Sequence, residues 1–195
     1  MVEIPVQTAL ISEDDLMRLG SDTRVEIVDG ELVYISPVGG MHVFVVNNTY
    51  DALKPIVKEK KLGYLFTDGL IYRMFGTSED IRGARVPDVS FIRKANIPKD
   101  WDLRRPFLGV PDLAIEVISP GDDAVDVLKK VREYFSKGTE QVWRMYPDEK
   151  EVHQYFRDDP DAVRVYTGDK LIDADAFSPG LILVMSDLFL LPDLD

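Results

Sequence analysis

The segment PDLAIEVISPG, residues 111–121, restricts the fold of this chain more than any other. LAIEVI is short, apolar and bounded by turn formers, so it reads as a strand that should be dry on both faces. Glu116 sits in its middle. A carboxylate in that position costs several kcal/mol unless something compensates its charge. The fold must therefore bring a partner to Glu116, either a cationic side chain or a metal ion.

Composition narrows the choice of partner. The chain has no cysteine and two histidines, His42 and His153. Thiolate zinc sites, cysteine nucleophiles and disulfides are excluded, and a site built mainly from imidazoles is disfavoured. A metal here would be a hard cation such as Mg²⁺ or Mn²⁺ held by oxygen. At 195 residues, 45% hydrophobic and 30% charged, the sequence has the length and balance of a single globular domain over 1–195. No apolar run approaches the ~18 residues of a membrane span, and MVEIPVQTALISEDDL lacks the basic and apolar regions of a signal peptide. A cytoplasmic protein without a membrane partner is expected. The net charge of −12 argues against a general nucleic-acid coat, while leaving room for a local basic groove.

Strands outnumber helices along the chain. SEDDLMRLG predicts a first helix with Ser12 as N-cap. RVEIVDGELVYISP predicts a hairpin about Asp29-Gly30, with Val25, Ile27, Leu32 and Tyr34 on one apolar face and Glu26 and Glu31 on the other. A helix is expected over 41–60, with His42 at its start. LGYLFTDGLIYRMF resembles a second hairpin about Asp68-Gly69. VPDVSFI and LAIEVI are strands, and DDAVDVLKKVREYFSKG is a helix that Gly138 can end. QVWRMY, EVHQYF, VRVY and LILV supply further strands. There is no P-loop, GxGxxG, GxSxG or HExxH, so ATP hydrolysis, dinucleotide chemistry, serine hydrolysis and zincin chemistry lack support.

The chemistry lies in carboxylates on strands. Alternation puts Asp88, Ser90 and Ile92 on one face of VPDVSFI, and Asp112, Ala114, Glu116 and Ile118 on one face of the other strand. If the strands are neighbours, opposed residues stand ~4.5–5.5 Å apart, close enough for Asp88 and Glu116 to share one cation. The competing reading is a salt bridge from Glu116 to an arginine or lysine. In the following helix, a stripe of Ala124, Val127, Leu128, Val131, Tyr134 and Phe135 turns Lys129 toward solvent. Lys130 and Arg132 flank the stripe, and either could reach Glu116. Asp112 opens its strand and is expected to end in solvent, while Trp143 and Tyr134 fall at core positions and His153 reads as structural. The segment RKANIPKDWDLRRPFLGVP is long for a connection and basic, and could steer phosphate toward the site or be simply solvated.

VPDVSFI, PDLAIEVISP and KKVREYFSKGTEQVW, in this order and spacing, resemble the Uma-type putative restriction endonuclease family of the PD-(D/E)XK nuclease superfamily. The likeness runs from EIVDGEL to PGLILVMSDLF. It implies an α/β, restriction-endonuclease-like core, a mixed β-sheet flanked by helices, with additional N-terminal and C-terminal strands. It also implies Asp88, Glu116 and Lys130 as catalytic residues, Asp88 and Glu116 being the metal ligands. The choice of Lys130 over Arg132 comes from this resemblance. The simple motif places its lysine two residues after the glutamate, where this chain has Ile118, so the lysine role would have moved to the helix. VEIVDGEL and PVGGMH also match blocks near the expected site, which makes Glu26 and His42 possible additional site residues. A solvated hairpin face for Glu26 and a helix-terminal polar role for His42 are the plain alternatives.

The function this implies is a Mg²⁺- or Mn²⁺-dependent endonuclease acting on DNA, for which a homodimer would suit cleavage of both strands. A nuclease-fold binding or assembly module without turnover is the alternative, and paired-carboxylate hydrolysis without metal is a weaker third.

Overall fold

In a computed structural model, the structure describes residues 10–20, 23–67, 69–174 and 177–193. Helix α1 spans Glu13–Arg18, and strands β1 (Val25–Val28) and β2 (Glu31–Tyr34) form the first hairpin. Helix α2 covers Gly40–Glu59 and is followed by β3 (Gly63–Thr67), β4 (Tyr72–Gly76), β5 (Ile81–Arg85) and β6 (Val89–Arg93). Next come β7 (Phe107–Leu108), β8 (Leu113–Val117), α3 (Ala124–Lys137), β9 (Gln141–Tyr146), β10 (Glu151–Phe156) and β11 (Asp159–Thr167). Strands β12 (Leu171–Asp173) and β13 (Ile182–Val184) pair with each other near the end.

Local signals explain the element ends. Ser12 accepts from the Asp15 amide while Asp15 reaches back to the Ser12 amide, closing a capping box. Asp29 and Gly30 both take positive φ, 52° and 86°, the left-handed pair that a two-residue hairpin turn requires. Asp123 caps α3, and Gly138, at φ 112°, ends it in a conformation that would strain any other residue.

A six-stranded sheet, in the order β11-β10-β9-β8-β6-β3, forms the centre, and a five-stranded sheet, β2-β1-β5-β4-β7, lies beside it. Pairing is antiparallel except for β4 with β7 and β8 with β9. The parallel β8–β9 pair needs a crossover, which α3 provides. Residues alternate between the two faces of the large sheet. Phe91, Ile115 and Trp143 join Val45, Leu53 and Val57 of α2 in one core, whereas Ile92, Ala114 and Val142 join Val131 and Tyr134 of α3 in another. The buried strand expected from LAIEVI is β8, with all five residues buried. This is the mixed α/β architecture, sheets flanked by helices, that the sequence implies.

Three expectations change. The predicted second hairpin does not form: β3 pairs with β6 at the edge of the large sheet, and β4 pairs with β5 in the smaller one. Its proposed turn residue Asp68 lies outside the described residues. The apolar face of the first hairpin is half exposed, with Val25 and Ile27 buried but Tyr34 67% exposed, because β2 is an edge strand. Leu128 of the expected helix stripe is also exposed, so the buried face of α3 is narrower than the periodicity suggested. Among the described residues, no helix is long and apolar enough to cross a membrane.

Candidate active site

Antiparallel pairing sets Val89 opposite Ile115 and Ser90 opposite Ala114. One step further along this register, Asp88 faces Glu116. Pro87 fixes an extended entry into β6, and Asp88 Oδ2 then accepts a hydrogen bond from the Val117 amide at 2.8 Å. Its other oxygen, Oδ1, stands 3.0 Å from His42 Nε2, which the first turn of α2 carries to this end of the sheet. His42 Nδ1 is buried and has no hydrogen-bond partner.

Glu116 is held from the helix side. Tyr134 donates its hydroxyl to Glu116 Oε1 at 2.9 Å, and Lys130 Nζ lies 3.7 Å from Oε2. Lys130 and Tyr134 are four residues apart, so one face of α3 presents both to the carboxylate. The lysine is anchored at 3.1 Å by Glu26 Oε1, which also accepts the Val86 amide. Glu26 Oε2 accepts from Arg85 at 2.8 Å, and Arg85 donates twice more to Glu133 of α3. A chain of alternating charge thus runs from α3 through β5 and β1 back to α3 and ends on β8.

Burial shapes the electrostatics of this network. Desolvation pushes the Glu116 carboxyl up to about 7, the nearby Lys130 opposing the shift while the Asp88 and Glu26 charges add to it. For Lys130, desolvation works against the charge, but Glu116 and Glu26 override it and hold the ammonium above the ordinary lysine range. Its own burial, reinforced by the same two acids, raises the Tyr134 hydroxyl well above the usual phenol value, so it remains a donor.

The five sequence candidates therefore come together: Asp88 with His42, Glu116 with Lys130, and Lys130 with Glu26. Glu26 is not on a solvated hairpin face; it is 4% exposed, because β1 pairs with β5 as well as β2 and is covered. Lys130 and Arg132 separate clearly, since Arg132 lies exposed on α3. Lys129 is half exposed, at the edge of the cleft that opens over this network, and pairs with Asp29 of the hairpin turn at 2.8 Å. His153 pairs with Glu151 on β10. Asp112 does not end in solvent. It is buried and accepts from the Arg93 amide and the Asn96 side chain, tying down the start of the long connection. The arginines of that connection are paired locally, Arg93 with Glu140, Arg104 with Asp102 and Arg105 with Asp14.

Three network members had not been singled out as site residues. Tyr134 was legible from its four-residue spacing to Lys130. Arg85 and Glu133 carried no local signal, since their partners arrive through non-local pairing.

A cleft of about 420 Å³ opens over the network, lined by Glu26, Arg85, Glu116 and Lys130 and rimmed by Asp123 and Asp126. Ile118 lines the same cleft, so the helix lysine enters the space that a lysine at 118 would face. The donors fit a hard cation. Lys130 is beyond hydrogen-bonding distance of Glu116 Oε2, leaving that oxygen able to ligate. Among the described residues, no three His, Asp or Glu side chains converge on one ion. A cation bound here would take two protein carboxylates and complete its shell with water or substrate, the habit of Mg²⁺.

Comparison with known proteins gives a consistent picture. The model of the family described as Uma2, putative restriction endonuclease, matches residues 12–186. Among solved structures, the chain is similar to a putative nuclease belonging to DUF820 from Anabaena variabilis ATCC 29413. The two are 25% identical with a TM-score of 0.74, over 92% of this chain and 97% of that one. No curated protein matches.

Proposed function

Because the chain belongs to the Uma2 family of putative restriction endonucleases, a nuclease family, we propose that it is a divalent-metal-dependent endonuclease that hydrolyses DNA phosphodiester bonds. Asp88 and Glu116 would hold Mg²⁺, or Mn²⁺, and Lys130 would act on the reacting phosphate. The observation that carries this reading is that Asp88 is bonded to the amide of Val117, next to Glu116 on the neighbouring strand, while a half-buried lysine stands 3.7 Å from Glu116.

When bound, the cation supplies Lewis-acid charge and a more acidic water. The chain's own groups do the positioning. The Val117 amide and His42 fix both oxygens of Asp88 before substrate arrives. Tyr134 orients Glu116 through one oxygen and leaves the other toward the cleft. Lys130, kept protonated by Glu26 and Glu116, has hydrogen bonds to give to the attacking water or to a non-bridging phosphate oxygen, where charge grows in the transition state. Glu26 serves as the lysine's anchor, being paired with both Lys130 and Arg85. A homodimer would present two such clefts to the two strands of a duplex.

Purified protein incubated with supercoiled plasmid and Mg²⁺ or Mn²⁺, beside Asp88→Ala, tests the reading. Nicking or linearisation by the wild type alone supports it. Intact plasmid throughout, with retained DNA binding, would favour the alternative of a silent binding module, to which the acidic cleft rim and Ile118 lend weight.

A further inference from the structure

On the far end of the large sheet, a groove of about 380 Å³ is lined by Lys54, Lys58, Lys61 and Lys94 together with Tyr50 and Tyr64, and no acidic side chain lines it. Four positive charges thus share one depression on a chain of net charge −12. None of the four lysines makes an ion pair among the described residues; Lys54 lies over the Tyr50 ring at 4.9 Å. Several exposed arginines elsewhere are paired, as Arg18 with Asp15, Arg82 with Asp80 and Arg104 with Asp102. The arrangement concentrates uncompensated positive potential in one place, which attracts a polyanion.

We infer that this lysine groove holds backbone phosphates of the DNA whose scissile bond lies at Asp88 and Glu116. The inference rests on the nuclease reading and adds a second contact to it. Strand β6 runs from beside Asp88 to Arg93, and Lys94 follows directly. At ~3.3 Å per residue Lys94, at the groove's edge, follows Asp88 by ~20 Å along the strand, about six base-pair steps of duplex. The edge strand β3 spans the same interval, its Gly63 opposite Arg93 at the groove and its Thr67 opposite Val89 near the site. Lysine ammonium groups and the exposed Tyr64 hydroxyl are typical donors to phosphate oxygens. Contacts of this kind set register on the duplex and carry no sequence information.

The test is binding of a fluorescent 30-base-pair duplex in EDTA, where cleavage cannot intervene, by wild type, by the triple variant Lys58→Gln/Lys61→Gln/Lys94→Gln, and by a charge-matched control, Arg18→Gln/Lys150→Gln/Lys170→Gln. The groove variant should lose about tenfold or more in affinity at ~0.1 M salt, and its log K against log salt slope should shrink by ~0.9 for each phosphate contact removed. The control should bind as wild type does. Equal affinity and slope in groove and control variants overturns the groove, as does absence of binding by the wild type. Plasmid cleavage measured in parallel keeps the two readings apart. Cleavage with an indifferent groove variant leaves the nuclease standing and removes the groove, whereas groove-dependent binding without any cleavage does the reverse.

Discussion

Lys130 Nζ stands 3.1 Å from Glu26 Oε1, so the lysine that lies 3.7 Å from Glu116 is held by an acid from the first hairpin. That link makes the hairpin part of the candidate active site. A lysine on a helix has a long, flexible stem, and a second carboxylate is what stops it from collapsing onto the first.

The two adjacent lysines of α3 should therefore behave differently. On the proposed mechanism, Lys130→Ala removes the charge that would act on the reacting phosphate and should lower the cleavage rate ~10²–10³-fold. Lys129→Ala breaks only a half-exposed pair with Asp29 and should change the rate by about twofold or less. Single-turnover cleavage with saturating metal measures both, and the reverse ranking would remove Lys130 from its assigned role.

Arg85 should be a stability residue first. It is 5% exposed and bridges Glu26 and Glu133, so Arg85→Met strips Glu133 of its cation and leaves Glu26 with Lys130 alone. The expected loss is ~3–5 kcal/mol, read by urea unfolding. Glu26→Gln/Arg85→Met should recover part of it, because one of the acids that lost Arg85 is gone. A single variant as stable as wild type would show that the network is not what holds β5 against α3.

Much of this was legible in the sequence where the cause is local. Asp29-Gly30 dictated its turn, Gly138 its helix end, and period-two alternation placed Asp88 and Glu116 on one face of paired strands. Helical periodicity removed Lys129 but left Lys130 and Arg132 both open, since each flanks the apolar stripe. The errors came from long-range pairing. Glu26 stayed open between a site residue and a solvated face, because nothing near it announces that β5 will cover β1 and bring Arg85. The 63–76 segment has the pattern of a hairpin, yet β3 and β4 find better partners in different sheets. Asp112 looked like a strand-opening residue, and became a loop anchor only because the chain returns at Arg93 and Asn96.

Glu116 offers a test that needs no substrate. Its carboxyl, ordinarily near 4.5, is pushed up to about 7, chiefly by desolvation, with Lys130 opposing and Asp88 and Glu26 reinforcing the shift. The folded chain therefore binds more protons than the unfolded chain between these two values. Stability contributed by the protonated group is present below about 4.5, falls as pH rises through the window and is gone above about 7. In EDTA, Glu116→Gln should flatten this part of the pH–stability profile and match or exceed wild type at pH 8, while keeping the Tyr134 hydrogen bond. A bound divalent cation would offset the same charge, so Mn²⁺ at ~100 times its dissociation constant should add ~2.7 kcal/mol to wild type at pH 8 and little to the variant. The gain should shrink toward pH 5, where protons compete for the carboxylate. Calorimetry across this range decides the matter. A Glu116→Gln protein that is destabilised and metal-indifferent at pH 8 would mean that Lys130 is the whole answer to the buried glutamate, a salt bridge within the core and no cation site.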